Sequence, residues 1–254
     1  MANGAAILGV RIDGLPQADV IRLILTAVEQ NRRMIITYAN IHAVNLAFEQ
    51  PWFRDILNRS DLVFCDGFGV KLGARLLGQH LPERFTPPDW IDVLAALSAS
   101  HRVRLFLLGA RPGVAELAAA RLRDSYPGVQ IVGTHDGYFD KRAGSAQNES
   151  IITAINAAQP QIILVGFGMP MQELWLKENW DRLEVNVVLT VGALFDYVSG
   201  TVARGPRWMT DHGLEWLARL IIEPRRLWRR YLIGNPLFLW RVFKQRMGWW
   251  RPET

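Results

Sequence analysis

Half of the 254 residues are hydrophobic and 21% are charged, the balance of a folded globular chain, which excludes a disordered tail protein and a disulfide-stapled miniprotein. The single cysteine, Cys65, has no internal partner, the opening MANGAAILGVRIDG lacks the basic start and long apolar core of a secretion signal, and the most apolar late stretch, YLIGNPLFLW, is interrupted by Gly234, Asn235 and Pro236, so a cytoplasmic chain without a membrane span is expected. The net charge of +5 is uneven: residues 201–254 hold eleven Lys/Arg against four Asp/Glu and six of the ten tryptophans, while residues 1–200 carry −2, which points to an anionic surface as partner of the tail.

In chain order, helical spacing at 18–30 precedes the first of six strand-length apolar runs, at 34–38, 62–65, 103–108, 129–132, 161–165 and 185–191. Between the third and fourth, residues 114–124 place Val114, Leu117, Ala118, Arg121 and Leu122 at a period of about 3.6 residues. Runs buried on both faces and alternating with helices predict an α/β fold, a mostly parallel Rossmann-like sheet covered by helices, over residues 1–200. From about Thr201 the pattern is helical only, with Pro206, Pro224 and Pro236 each placed to open a helix. Residues 201–254 are therefore expected to form a basic, Trp-rich helical appendage.

Open parallel sheets bind ligands beyond the carboxyl ends of their strands. There the sequence places Asp66-Gly67-Phe68-Gly69, a loop starting at Gly109, the stretch Gly166-Phe167-Gly168-Met169-Pro170-Met171-Gln172-Glu173, and Gly192-Ala193. Glycine lets backbone N–H groups approach a phosphate, so Gly109, Gly166 and Gly168 are candidate contacts for a nucleotide or phosphosugar, although each loop alone reads equally as a tight strand-to-helix turn. The dinucleotide and P-loop glycine patterns are incomplete. Asp66, at a strand end among apolar neighbours, reads either as a general base or as a turn carboxylate. Cys65 reads as a buried structural thiol.

The five histidines lie apart and no DxD pair occurs, so no metal site is expected, and arginines are left to neutralise a bound diphosphate. On a continuous helix Arg219, Arg226 and Arg230 would form one stripe beside Arg229, with Pro224 as a bend. Trp228, Arg230 and Trp240 suit an interfacial anchor, against the alternative of a solvated basic face.

The ordered blocks DGFG (66–69), ER-x-T (83–86), LLGARPGV (107–114), YPG (126–128), GYF (137–139), GFGMPMQE (166–173), FDYVSG (195–200) and EWLARLIIEPRRLWRRY (215–231) resemble the WecG/TagA/CpsF glycosyltransferases, family 26 of that enzyme class. The resemblance implies inverting, metal-independent transfer of a hexose or N-acetylhexosamine from a UDP-sugar to a polyprenyl-diphosphate-linked saccharide in bacterial cell-surface polysaccharide synthesis, without a cofactor. It implies Asp66 as catalytic base, Thr37, Asn40, Arg84 and Gln172 in the substrate pocket, and Arg219, Arg226 and Arg229 on the donor diphosphate. It also implies a peripheral location on the inner face of the cytoplasmic membrane, with self-association left open. The sequence departs from the family pattern at Thr37-Tyr38-Ala39-Asn40, where T-x-N is usual, and at Pro87 and Met171, where Gly and Lys are usual. Two other readings of the residues are a nucleotide-cofactor oxidoreductase, for which the glycine fingerprint is missing, and a nucleic-acid-binding module using the basic tail, for which no reading motif is present.

Overall fold

The computed structural model describes residues 4–251, and at Arg207 and Asp211 the backbone alone. Of the charges counted in the tail, those two side chains and Glu253 lie outside the described residues. The chain opens with a hairpin of β1 (Gly4–Ile7) and β2 (Val10–Asp13), followed by α1 (Gln17–Glu29), β3 (Met34–Ala39), α2 (Ile41–Glu49), α3 (Pro51–Arg59), β4 (Leu62–Cys65) and α4 (Phe68–Leu76). Next come α5 (Pro87–His101), β5 (Leu105–Gly109), α6 (Val114–Ser125), β6 (Ile131–His135), α7 (Ala146–Ala158), β7 (Ile162–Gly166), α8 (Met171–Asn179), β8 (Val187–Thr190) and α9 (Leu194–Val198). The tail holds α10 (Arg207–Asp211), α11 (Glu215–Ile222), α12 (Pro224–Trp228), a π segment (Arg229–Ile233) and α13 (Gly234–Arg246). No helix among the described residues is long and apolar enough to cross a membrane.

The six expected apolar runs form one six-stranded sheet of order β4-β3-β8-β7-β5-β6, and its β3–β8, β8–β7, β7–β5 and β5–β6 pairings are parallel. The expected α/β class and mostly parallel sheet are thus present. The β1–β2 hairpin is an addition to the expected elements. Its turn residues Leu8 and Gly9 have φ of 50° and 80°, the left-handed pair that a two-residue hairpin turn requires.

By its contacts the chain divides into two compact units, one of Met1–Gln17, Tyr38–Thr86 and Ala203–Thr254, the other of Ala18–Thr37 and Pro87–Val202. In the second unit, β5, β7 and β8 present Phe106, Leu108, Ile163, Val165 and Val188 to Ile151, Ile152 and Ile155 of α7 and to Trp175 and Leu176 of α8. Such runs are apolar throughout because a parallel strand covered on both faces has no wet side.

In the first unit the tail is bound to the rest by shape and by polar contacts. Phe238 and Val242 of α13 are fully buried, and a Cβ on Gly73 of α4 would lie 2.6 Å from the Phe238 ring, so glycine is what lets the two helices approach. The Gln245 amide donates to Ala6 O at 3.0 Å and accepts from the Leu8 N–H at 2.8 Å. Arg241 donates to Asn45 Oδ1 at 3.0 Å and to Glu49 Oε1 at 2.6 Å, and Arg246 donates to Leu76 O at 2.5 Å.

The continuous arginine-bearing helix does not form. Pro224 has no N–H to give, so α11 ends at Ile222, Glu223 turns at φ −129° and ψ 59°, and α12 restarts with Pro224 in its first turn.

Candidate functional site

The first unit contains a cavity of about 740 Å³, within the range of small-molecule sites. Asp66 stands in its wall at the carboxyl end of β4, where strand geometry delivers the first residue after LVFC to the sheet edge. Its backbone N–H donates to Ala39 O at 2.9 Å, and its Oδ2 accepts from Asn40 Nδ2 at 3.0 Å. Asn40 has two tasks, since its Oδ1 also accepts from the Ala43 N–H at 3.0 Å and caps α2. The cap fixes the amide so that its N–H₂ faces the carboxylate.

Burial first, and then the nearby Glu215 carboxylate, raise the Asp66 pKa to about 6 against the downward pull of Asn40, Arg230 and Arg219. The balance leaves a carboxylate that is ionised at neutral pH yet holds a proton far better than a solvated one. Such a group is suited to accept a proton from a bound hydroxyl. Cys65 beside it is buried, with its thiol pushed up to about 12 chiefly by that burial, and is inert as expected.

Of the residues singled out in the sequence, Asn40, Asp66, Arg84, Arg219 and Arg230 line this cavity together. Arg84 donates to Thr210 O at 3.0 Å, lies 3.9 Å from Glu215 Oε2 and covers the Phe68 ring at 4.8 Å, so the tail holds it in place. Arg226 and Arg229 are exposed. Arg226 pairs with Glu223 at 2.7 Å and Arg229 sits over the Trp228 ring at 5.2 Å. The break at Pro224 explains this outcome, because it turns the spacing that would have stacked Arg226 with Arg219 into a change of direction. Trp228 and Trp240 are exposed as an interfacial anchor requires, whereas Arg230 is partly buried and faces the cavity.

The remaining candidates belong to the second unit, at the carboxyl ends of its strands. Gln172, fully buried in the first turn of α8, accepts through Oε1 from the Gly168 N–H at 3.2 Å and the Gly192 N–H at 3.1 Å. It thereby ties the loop after β7 to the loop after β8, and donates to Glu173 Oε1 at 2.8 Å. Glu173 is also fully buried, and desolvation raises its pKa to about 7. Gly109 has φ 146° and Gly166 O stands where its Cβ would be, so no other residue fits at that crossing. Thr37 lies within β3, fully buried, and its Oγ1 has no hydrogen-bond partner among the described residues.

Several lining residues escaped the sequence reading. Glu215 lies inside the EWLARL block but carries no chemistry that a lone acid announces. His42 is neutral, its pKa lowered to about 4 by burial and by Arg230. Lys71 and Arg75 follow the DGFG turn with the spacing of an ordinary solvated helix face. Among the described residues no group of three or more His, Cys, Asp or Glu gathers to hold a metal.

An N-acetylglucosaminyldiphosphoundecaprenol N-acetyl-beta-D-mannosaminyltransferase of Staphylococcus aureus strain NCTC 8325 / PS 47 is 28% identical over 240 residues, covering 94% of this chain and 91% of that protein. Proteins of the same description from strains COL and MW2 match at the same identity and coverage. The profile described as Glycosyl transferase WecG/TagA/CpsF family matches residues 5–252. The chain belongs to that glycosyltransferase family.

Proposed function

We propose that the protein transfers a hexose or N-acetylhexosamine from a UDP-sugar to a polyprenyl-diphosphate-linked saccharide in bacterial cell-surface polysaccharide synthesis. The observation that carries this reading is the cavity lined by Asp66, with its raised pKa, and by Arg219 and Arg230, whose charges act on it. The acceptor hydroxyl oxygen attacks the donor's anomeric carbon as the bond to the nucleotide phosphate breaks, and Asp66 takes the hydroxyl proton. Attack from the face opposite the leaving group inverts the anomeric configuration. Arg219 and Arg230 offset the charge that gathers on the departing diphosphate, so the step proceeds without a metal. Arg226 and Arg229 join them when the donor is bound, giving up their contacts with Glu223 and Trp228. Arg84 and Asn40 hold the acceptor side.

The acceptor in the relatives' description, an N-acetylglucosaminyl group on diphosphoundecaprenol, supports a lipid-linked acceptor here. Such a lipid stays in the bilayer, and residues 201–254 have the composition to meet it there: exposed Trp228, Trp240 and Trp249 interleaved with arginines. We assign that segment both to peripheral membrane attachment and to completion of the cavity around the body of residues 1–200.

The test is an assay of the purified chain with UDP-sugars and a short-chain lipid-diphosphate saccharide, with and without EDTA. The reading expects a product longer by one sugar, of inverted anomeric configuration by NMR, formed equally in chelator. Loss of activity in EDTA with rescue by Mg²⁺ would overturn the arginine account. Absence of transfer, with binding of a nicotinamide cofactor or an oligonucleotide instead, would overturn the reaction itself.

A further inference from the structure

We infer that helix α4 is the platform for the diphosphate of a polyprenyl-linked substrate, with Lys71 and Arg75 on the phosphates and Leu72 and Leu239 on the first isoprene units. The inference rests on the proposed glycosyl transfer and assigns residues to its second diphosphate.

The two faces of α4 differ in kind. Val70, Gly73 and Ala74 are buried, and Gly73 abuts Phe238 of α13. On the other face Phe68, Lys71, Leu72 and Arg75 recur at i, i+3, i+4 and i+7, so their side chains stand in one row, and all four line the cavity. Phe68 and Leu72 are 39% and 47% exposed in that row. A helix face that is merely solvated does not mix two large apolar side chains with two cations inside a concavity. A ligand with an anionic head and an apolar tail does require that mixture.

The cations of the cavity fall into two sets. Arg219 and Arg230 are tail residues that line the cavity with Asp66, and the proposed transfer uses them for the departing diphosphate. Lys71 and Arg75 stand instead on α4, one and two turns along the row that Phe68 opens. In an acceptor whose diphosphate is attached through the anomeric carbon, the attacking hydroxyl is elsewhere on the ring, so its diphosphate stands across a pyranose from the base. The ammonium of Lys71 donates to Pro82 O at 3.0 Å and keeps two further N–H donors, while the exposed Arg75 has a planar fork matched to phosphate oxygens. From the same cavity Leu239 leads outward to Phe243 of α13 at i+4 and to Met247, the residue that caps the helix, at i+8, and all three are exposed. That apolar row gives the prenyl chain a path out of the cavity toward a bilayer.

The platform is preorganised. Arg246 of α13 donates to Leu76 O at the carboxyl end of α4, and Gln79 beyond it accepts from the Ala6 N–H at 2.7 Å, so α4 is braced at the end that carries Arg75.

The experiment is binding by calorimetry of farnesyl diphosphate, inorganic diphosphate, farnesol and UDP to the full chain and to Arg75→Ala, Lys71→Ala and Leu72→Ser, each checked for an unchanged circular dichroism spectrum and melting curve. Arg75→Ala and Lys71→Ala each weaken farnesyl diphosphate by about tenfold and leave UDP within twofold, since each removes charge-assisted bonds to one phosphate group. Leu72→Ser weakens farnesyl diphosphate but not inorganic diphosphate. In turnover, Arg75→Ala raises the acceptor KM about tenfold, and the loss shrinks to under twofold with an alkyl glycoside acceptor that has no diphosphate. Equal binding of farnesyl diphosphate by all variants, or weakening of UDP to the same degree, overturns the assignment. Binding through Lys71 and Arg75 in a protein that transfers no sugar would overturn the proposed function and leave this site standing. Transfer that ignores both substitutions would do the reverse.

Discussion

At the scale of single residues, the charge balance around Asp66 decides its behaviour. Glu215 raises its pKa while Arg219 and Arg230 lower it, so Glu215→Gln should shift the acid limb of kcat/KM below pH 6 and Arg219→Met should shift it above, each by roughly half a unit, in a pH–rate profile. Stability follows the same group with a fixed sign. A carboxyl whose folded pKa is about 6 and whose ordinary value is 3.8 favours the folded state only when protonated, so the chain bears a penalty that grows from about pH 4 and is complete above pH 6. Asp66→Asn removes it, and should stabilise the protein at pH 7.5 by up to about 3 kcal/mol in denaturant melts, with little gain at pH 4. The position of Asp66 was legible from the sequence because an acid directly after LVFC has to emerge at a strand end. The orientation of Asn40 was not, because one amide that both caps a helix and meets a carboxylate is settled only when α2 and β4 are side by side. His42 and Glu215 carry no spacing signal at all, and their relevance comes from what faces them.

At the scale of elements, the parallel strands were legible because burial on both faces leaves unbroken apolar runs, and β4 begins and ends at the expected residues. The β1–β2 hairpin was missed because its turn uses Leu8 before Gly9, where Asn or Asp would have announced it, and because each strand has only four residues. The arginine stripe failed at Pro224, and that failure makes a distinction between arginines. Arg219→Ala should lower turnover at least tenfold, and Arg226→Ala no more than about threefold, since Arg226 begins from an exposed pair with Glu223 that contributes little. Steady-state kinetics on both variants checks the order. The contact of α13 with α4 gives a stability prediction: Phe238→Ala should cost about 3–5 kcal/mol in equilibrium unfolding, because it empties a fully buried ring site against Gly73.

At the scale of the whole molecule, the basic, Trp-rich tail stood out in the sequence by composition, but its integration did not. Residues 203–254 fall in the same compact unit as 38–86, and α13 supplies buried Phe238 and Val242 together with hydrogen bonds to Ala6, Leu8, Asn45 and Leu76. A chain ending at 202 should therefore lose solubility or melt without cooperativity, as seen by sedimentation and calorimetry. Interfacial attachment is separable from this core by acting on exposed rings only. Trp228→Ala with Trp240→Ala should reduce co-sedimentation with anionic vesicles several-fold while the melting temperature changes little. The central claim is that a half-buried cavity carboxylate takes the acceptor's proton during glycosyl transfer. Single-turnover transfer by wild type and Asp66→Asn, run from pH 5 to 8 with UDP affinity measured alongside, tests it most directly. The account expects a wild-type acid limb near pH 6, and in the variant a loss of at least about 10²-fold with UDP affinity retained. Near-normal transfer by the folded variant, or a wild-type profile flat through pH 6, would contradict it.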